Sequence, residues 1–243
     1  NHSEKPLKAK IVSAMASTIS ESSLHCTTIG FVSFYFLIRL TTFSAKPKKS
    51  DRIEVVNCQK RRIIIMKENL KVLMINGSPK ANGNTAIALK EMENIFKENG
   101  VEVETVVIGN KAVRGCIACG SCYEKGQCVF DDVVNELAPK FEEADGLVIA
   151  SPVYYASANA TLIACLDRLF YSSHFDKTMK VGASVACARR GGCSATFDEL
   201  NKYFTISGMP VASSQYWNSV HGRDMGEAVM DEEGLQTMRT LAN

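Results

Sequence analysis

Four cysteines fall within thirteen residues: Cys116, Cys119, Cys122 and Cys128. Thiolates so spaced suit a soft metal. The three at Cys-x2-Cys-x2-Cys can each wrap one corner of a cubane, and a fourth at a looser distance can reach the last iron, which points to a [4Fe–4S] cluster. Zinc held by four thiolates prefers paired knuckles further apart, and two pairs so close would strain one tetrahedral site. Free or redox-active thiols are the third reading. Gly115, Gly120 and Gly126 supply turns around the cluster. The other five cysteines are scattered. An odd total of nine with one tight group fits a reducing compartment, the cytoplasm, better than a secreted disulfide framework. The scattered five are expected to be small core residues; for Cys193, beside a glycine-rich loop, a reactive thiol is the alternative.

Three further segments carry binding chemistry. Gly77-Ser-Pro-Lys-Ala-Asn-Gly-Asn-Thr85 combines glycines, small polar side chains and helix-capping residues. Free backbone N–H groups at a helix start, with the hydroxyls of Ser78 and Thr85 and the amide of Asn84, suit a phosphate. The segment is neither Walker A nor Gly-x-Gly-x-x-Gly. An ordinary capped strand–helix turn is the plain alternative. Ser151-Pro-Val-Tyr-Tyr-Ala-Ser157 sets two tyrosines, Tyr154 and Tyr155, on a proline-containing loop, where they can stack on a flat ring or simply pack into the core. Ala188-Arg-Arg-Gly-Gly192 offers close backbone approach at Gly191 and Gly192 and a guanidinium from Arg189 or Arg190 beside an electron-rich ring; a solvated surface turn is its alternative. Tyr216, Trp217 and His221 could line a stacking site for a second ring, or pack a C-terminal loop. His174 has no supporting context.

The elements that must position these loops alternate. Leu70–Ile75 reads as a buried strand, Thr85–Asn99 as an amphipathic helix stopped by Gly100, and Val101–Ile108 as a second strand. Asp131-Asp132 caps a helix through about Ala144, with Pro139 as a blemish. Strands follow at Gly146–Ala150, Val181–Ala186 and Met209–Ser213. Helices follow at Ala158–Phe170, Thr196–Ile206 and Asp231–Leu241. Such alternation predicts an α/β fold, a doubly wound five-stranded parallel sheet with helices on both faces. Ligands then bind beyond the carboxyl ends of the strands, where the three loops lie.

The 243 residues divide by charge. Residues 1–65 carry 11 Lys/Arg and 4 Asp/Glu, whereas residues 66–243 carry 17 and 22. The body has no basic excess to attract nucleic acid. The apolar run Ile29–Ile38 is too short for a membrane span, which takes about 20 residues. Residues 1–65 do not read as a domain. The expectation is that Met66 is the natural start and that the preceding residues are upstream sequence read in frame; a membrane-surface anchor and a disordered extension are the rivals. Residues 66–243 form the binding domain.

Gly-Ser-Pro-Lys-x-x-Gly-Asn-Thr, then Ser-Pro-Val-Tyr-Tyr, then Asp167-Arg168 closing the next helix, resembles the flavodoxin-like NAD(P)H-dependent FMN reductases. The cysteine group resembles that of the iron–sulfur flavoproteins among them. The resemblance covers about Leu70 to the C-terminus. It implies strand order 2-1-3-4-5, with FMN at the switch point between strands one and three. It implies that Ser78, Lys80, Asn82, Gly83, Asn84 and Thr85 surround the FMN phosphate. Pro152, Val153, Tyr154, Tyr155 and the Arg189–Gly192 loop would border the isoalloxazine ring. It also implies NAD(P)H as co-substrate, a quinone-like, azo or nitro acceptor or a redox protein as electron partner, and a homodimer or homotetramer. No general acid or base is assigned, because hydride transfer to flavin needs none at the ring. A non-catalytic electron carrier, a cluster-free FMN-dependent quinone reductase and a metal-binding module are the alternatives. The segment from Asp231 resembles the opening of a terminal helix that continues in the family.

Overall fold

The computed structural model describes residues 69–243 and the backbone of two short antiparallel strands, Val55–Cys58 and Arg61–Ile64. The expectations for the Met66 start and the apolar run Ile29–Ile38 lie outside the described residues.

Five parallel strands form the sheet: β1 (Lys71–Asn76), β2 (Glu102–Val107), β3 (Gly146–Tyr154), β4 (Val181–Ala188) and β5 (Ser219–His221). Their spatial order is β2-β1-β3-β4-β5, the expected 2-1-3-4-5. The register pairs Lys71 with Glu102, Val72 with Gly146, Gly146 with Val181 and Ala186 with Ser219. β1 and β3 read as unbroken apolar runs because helices cover both faces. Alternation sorts their side chains. Leu73, Ile75, Leu147 and Ile149 point to one layer, packed with Val134, Leu137, Leu162 and Phe204. Met74, Val148 and Val185 point to the other, packed with Leu89, Met92 and Met238.

The first layer is supplied by α3 (Val133–Glu143), α4 (Ala160–Ser172) and α5 (Cys193–Ile206). The second is supplied by α1 (Asn84–Glu98) and α6 (Glu232–Ala242). A five-residue helix, α2 (Ser121–Lys125), lies inside the cysteine segment. α1 stops where glycine permits. Gly100 takes φ +72, its N–H bonds Lys97 O at 3.1 Å, and Val101 N–H reaches Phe96 O at 2.8 Å. That pair of bonds satisfies the last-turn carbonyls. Asp132 caps α3 by accepting from Val134 N at 3.0 Å, as its position suggested.

Two expectations need correction. Met209–Ser213 is not the fifth strand. Pro210 has no N–H to donate, and the segment makes a single bridge, Gly182 to Val211. The chain then swings out and returns as β5 beside Ala186–Ala188. The third strand does not stop at Ala150 either. It runs to Tyr154, turns through Tyr155 and Ala156, and pairs back through Ser157–Ala158.

Candidate functional site

The carboxyl ends of β1, β3 and β4 lie side by side, so the three candidate loops meet at one edge of the sheet. Asn76 is buried at the end of β1, and its Oδ1 accepts from Ser78 N at 2.9 Å. Ser78 Oγ in turn accepts from Lys80 N at 3.2 Å, and Gly77 N–H donates to Ala150 O at 2.8 Å. A Cβ on Gly77 would sit 2.7 Å from Leu162 Cδ2, so the loop runs too close to α4 for a larger residue. α1 begins after Gly83 with no side-chain cap and no acidic residue in its first turn. Its first N–H groups and the positive end of its dipole therefore remain available to an anion.

The expected phosphate-binding side chains do not all stand alike. Ser78 and Gly83 are buried within the loop, and Lys80 and Asn82 are exposed on it. Thr85 is buried and shares a hydrogen bond with the Cys187 thiol, whose pKa burial pushes up to about 12. Asn84 has other work. Its Nδ2 donates to Asp224 O at 3.0 Å, and its Oδ1 accepts from Gly226 N and Ala228 N, both at 3.1 Å. The Asn84 carboxamide thus ties the C-terminal segment to the start of α1, leaving its backbone N–H for a ligand.

The tyrosine loop is a hairpin rather than an open loop. Tyr155 and Ala156 take φ +52 and +61, the pair of positive values a tight two-residue turn demands. Asn-Gly usually fills those positions, and each residue with a side chain there stores about 1–3 kcal/mol. Tyr154 is half-exposed and Tyr155 fully so, hence neither packs into the core. Glu199 of α5 anchors the return strand, accepting from Ser157 Oγ at 2.9 Å and Ala158 N at 2.8 Å. Gly192, at φ +94, starts α5. Its missing Cβ would lie 2.8 Å from Val153 Cγ1 and 3.0 Å from Ala156 Cα, which locks the Arg189–Gly192 loop against the hairpin. Arg189 and Arg190 are exposed.

Two glycines outside the sequence-predicted set complete this edge. A Cβ on Gly109, just past β2, would meet Gly77 O at 2.2 Å. One on Gly222, just past β5, would meet Asn84 Nδ2 at 2.6 Å. Gly109 follows the strand read over Val101–Ile108, which is the signal that could have found it; Gly222 follows a strand of only three residues, which gives no such signal. His221 ends β5. Its N–H donates to Asp231 Oδ2 at 2.6 Å, its Nδ1 lies 3.6 Å from the same oxygen, and its Nε2 lies 3.9 Å from Cys193 Sγ. Burial, reinforced by the Asp231 charge, raises the Cys193 pKa to about 11, so this thiol stays protonated at neutral pH. Tyr216 and Trp217 pack against one another in a tilted contact, 5.2 Å between ring centroids and 45° between planes, and stand exposed.

The four clustered cysteines line one cavity of about 410 Å³, many times the roughly 30 Å³ of a liquid water. All four are free thiols. Cys116 and Cys119 are exposed on turns with positive φ at Ala118 and Gly120, and Cys122 rides on α2. A hydrogen bond with Ser121 holds the Cys119 pKa below the usual thiol value. Among the described residues, no three His, Cys, Asp or Glu side chains converge on a single ion position. Cys128 is held differently, by Asn135 of α3 and Arg168 of α4. Asn135 Oδ1 accepts from Cys128 N at 3.0 Å and its Nδ2 donates to Cys128 O at 3.1 Å. Arg168, flagged in the sequence only as part of a motif, proves to be the floor of this cavity.

A doubly wound parallel sheet with backbone amides and glycines gathered at its switch point defines a flavodoxin-like α/β protein. The chain belongs to the NADPH-dependent FMN reductase family, which it matches over residues 70–224. It is 34% identical over 180 residues to an iron–sulfur flavoprotein of Methanocaldococcus jannaschii, covering 71% of this chain and 93% of the relative. It is 34% identical over 177 residues to one of Methanosarcina thermophila, covering 71% and 92%. The Trp repressor binding protein of Bacillus subtilis shares the fold at TM-score 0.51 and 15% identity, over 70% of this chain and 99% of that one. The protein is a flavin-dependent oxidoreductase by family. Among the described residues, no helix is long and apolar enough to cross a membrane.

Proposed function

We propose that this oxidoreductase takes electrons from NAD(P)H onto FMN and releases them singly through a [4Fe–4S] cluster held by Cys116, Cys119, Cys122 and Cys128. The observation that carries the reading is the single cavity lined by all four thiols. When bound, FMN supplies a hydride acceptor that can give up electrons one at a time, and the cluster supplies a one-electron store. The remaining chemistry belongs to the chain. The uncapped start of α1, with Ser78, Lys80 and Asn82, suits the phosphate. Pro152, Val153, Tyr154 and Tyr155 on the hairpin, with Arg189, Arg190 and Gly191 on the facing loop, suit the ring. Gly192 fixes the two walls against each other.

The cysteine cavity fits a multi-iron group better than one ion. In a cubane each thiolate binds a different iron, so the sulfurs stand apart instead of converging. Ser172 lines the same cavity, and its Oγ, buried and without a partner, is an orphaned donor beside the place the group would occupy. The family description and the names of the relatives support the nicotinamide and the cluster respectively. A homodimer or homotetramer would cover Met225, Val229 and Met230, which stand exposed.

Anaerobic reconstitution with FMN, iron and sulfide tests the proposal. The expected result is roughly four irons and four sulfides per chain, and a flavin band that bleaches on addition of NADH or NADPH. Bleaching without iron would leave a cluster-free FMN reductase acting on quinone-like, azo or nitro acceptors. Iron without bleaching would leave an electron carrier fed by a redox protein.

A further inference from the structure

Cys128 differs from its three companions in what holds its sulfur. Arg168 Nε donates to Cys128 Sγ at 3.2 Å. The Arg168 side chain is only 1% exposed. Its Nη1 donates to Asp132 Oδ2 at 2.7 Å and Arg114 O at 3.3 Å, and its Nη2 to Asp132 Oδ1 at 2.9 Å and Phe130 O at 3.2 Å. A guanidinium has five N–H donors, and here each has an acceptor. Four end on oxygen. The fifth ends on sulfur, which accepts strongly only as a thiolate or an iron-bound thiolate. The side chain cannot swing away without breaking the fork to Asp132. One helical turn later on α4, Ser172 lines the same cavity, and its Oγ is buried without a partner.

We infer that Arg168, with Ser172 beside it, sets the reduction potential of the cluster at its Cys128 corner. This rests on the cluster reading above. Reduction adds one electron and therefore one negative charge to the cluster. No bond forms or breaks, and no proton is required. A donor fixed on a ligand sulfur stabilises that added charge and raises the potential. Asp132 opposes it, because its carboxylate neutralises the guanidinium. Arg168 is therefore a positioning residue, and Asp132 is the counterweight that limits its effect.

The opposition gives the test its sign. The midpoint potential of the reconstituted full chain is measured by an EPR-monitored titration for the unaltered protein, Arg168→Gln, Asp132→Asn and Ser172→Ala. Arg168→Gln should move the potential down, since the donor goes and the carboxylate stays. Asp132→Asn should move it up, since the guanidinium loses its counter-charge while asparagine still caps α3. Ser172→Ala should move it down by less than Arg168→Gln. A purely structural role for Arg168 predicts no such opposition. Unchanged potentials, or shifts of one sign in both Arg168→Gln and Asp132→Asn, overturn the inference. So does loss of the cluster from both of those variants with flavin retained, because Arg168 and Asp132 would then only build the site. Absence of a cluster from the unaltered, flavin-loaded protein is a different result: it removes the cluster reading itself, and this inference with it.

Discussion

The loop edge proposed for the flavin and the cysteine cavity are built by opposite means. At the flavin edge the backbone does the shaping. Gly77, Gly109, Gly192 and Gly222 each lie where a Cβ would be within 3.0 Å of a neighbour, and the start of α1 keeps its N–H groups uncapped. That geometry is set by the packing of the sheet. In the cysteine cavity, side chains on a loop do the work. Only Cys128 is fastened to the scaffold through both backbone and sulfur, by Asn135 and Arg168. Cys122 is touched through its carbonyl alone, by His174 Nε2 at 2.9 Å. The contrast teaches that one site is shaped by the packing of the backbone, while in the other Cys128 alone is tied to the helices and the remaining three cysteines sit on the loop.

The largest effects should therefore separate cleanly by region. Cys116→Ser and Cys128→Ser are each expected to abolish iron binding and to leave FMN affinity within about twofold, as read by iron assay and by fluorescence titration. If either variant lost flavin as well, the two regions would be one cooperative unit. The converse substitution is Gly109→Ala. Its new methyl would press on the Gly77 carbonyl and the Ser78 backbone, which cannot yield as a flexible side-chain tip can. FMN affinity should fall at least about tenfold, equivalent to about 1.4 kcal/mol, with iron content unchanged.

How much of this was readable in the residues follows the same division. The alternation of strands and helices, the loop edge and the cap at Asp132 were legible because glycine, apolar runs and capping residues act locally; the strand order came from the family resemblance. β5 was missed because Ser219-Val-His221 is too short to show a strand period, while Met209–Ser213 carries the apolar signal but has Pro210 inside it. The cysteine spacing was legible. Its anchor was not, since Arg168 and Cys128 are 40 residues apart and meet only through the packing of α3 and α4. Asn84 was legible as a polar residue in a phosphate loop. Its bonds to Asp224, Gly226 and Ala228 span 140 residues or more and could not be read from spacing.

A smaller effect should show the strain stored at the flavin edge. Ala156→Gly removes a Cβ from a position at φ +61. Relief of that strain is expected to stabilise the protein by about 1 kcal/mol, seen as a rise of a few degrees in Tm. A fall in Tm would mean that the hairpin turn is not strained as its dihedrals indicate.

The smallest effect comes from the anchored corner of the cysteine cavity, and its sign follows from charge. Burial alone would raise the pKa of Asp132, but the hydrogen bond from Arg168 and the Val134 amide together outweigh it and hold the carboxyl below its usual value. A carboxyl depressed in the folded state contributes stability that is complete above its unfolded value, about 3.9, and lost as pH falls through the folded one. The stability difference between the unaltered protein and Asp132→Asn should therefore be constant from about pH 5 upward and shrink below about pH 4. Urea unfolding of the metal-free chain across that range measures it. A difference that instead grew on acidification would mean that Asp132 is not ionised against Arg168, and the fork that fixes Cys128 would lose its charge.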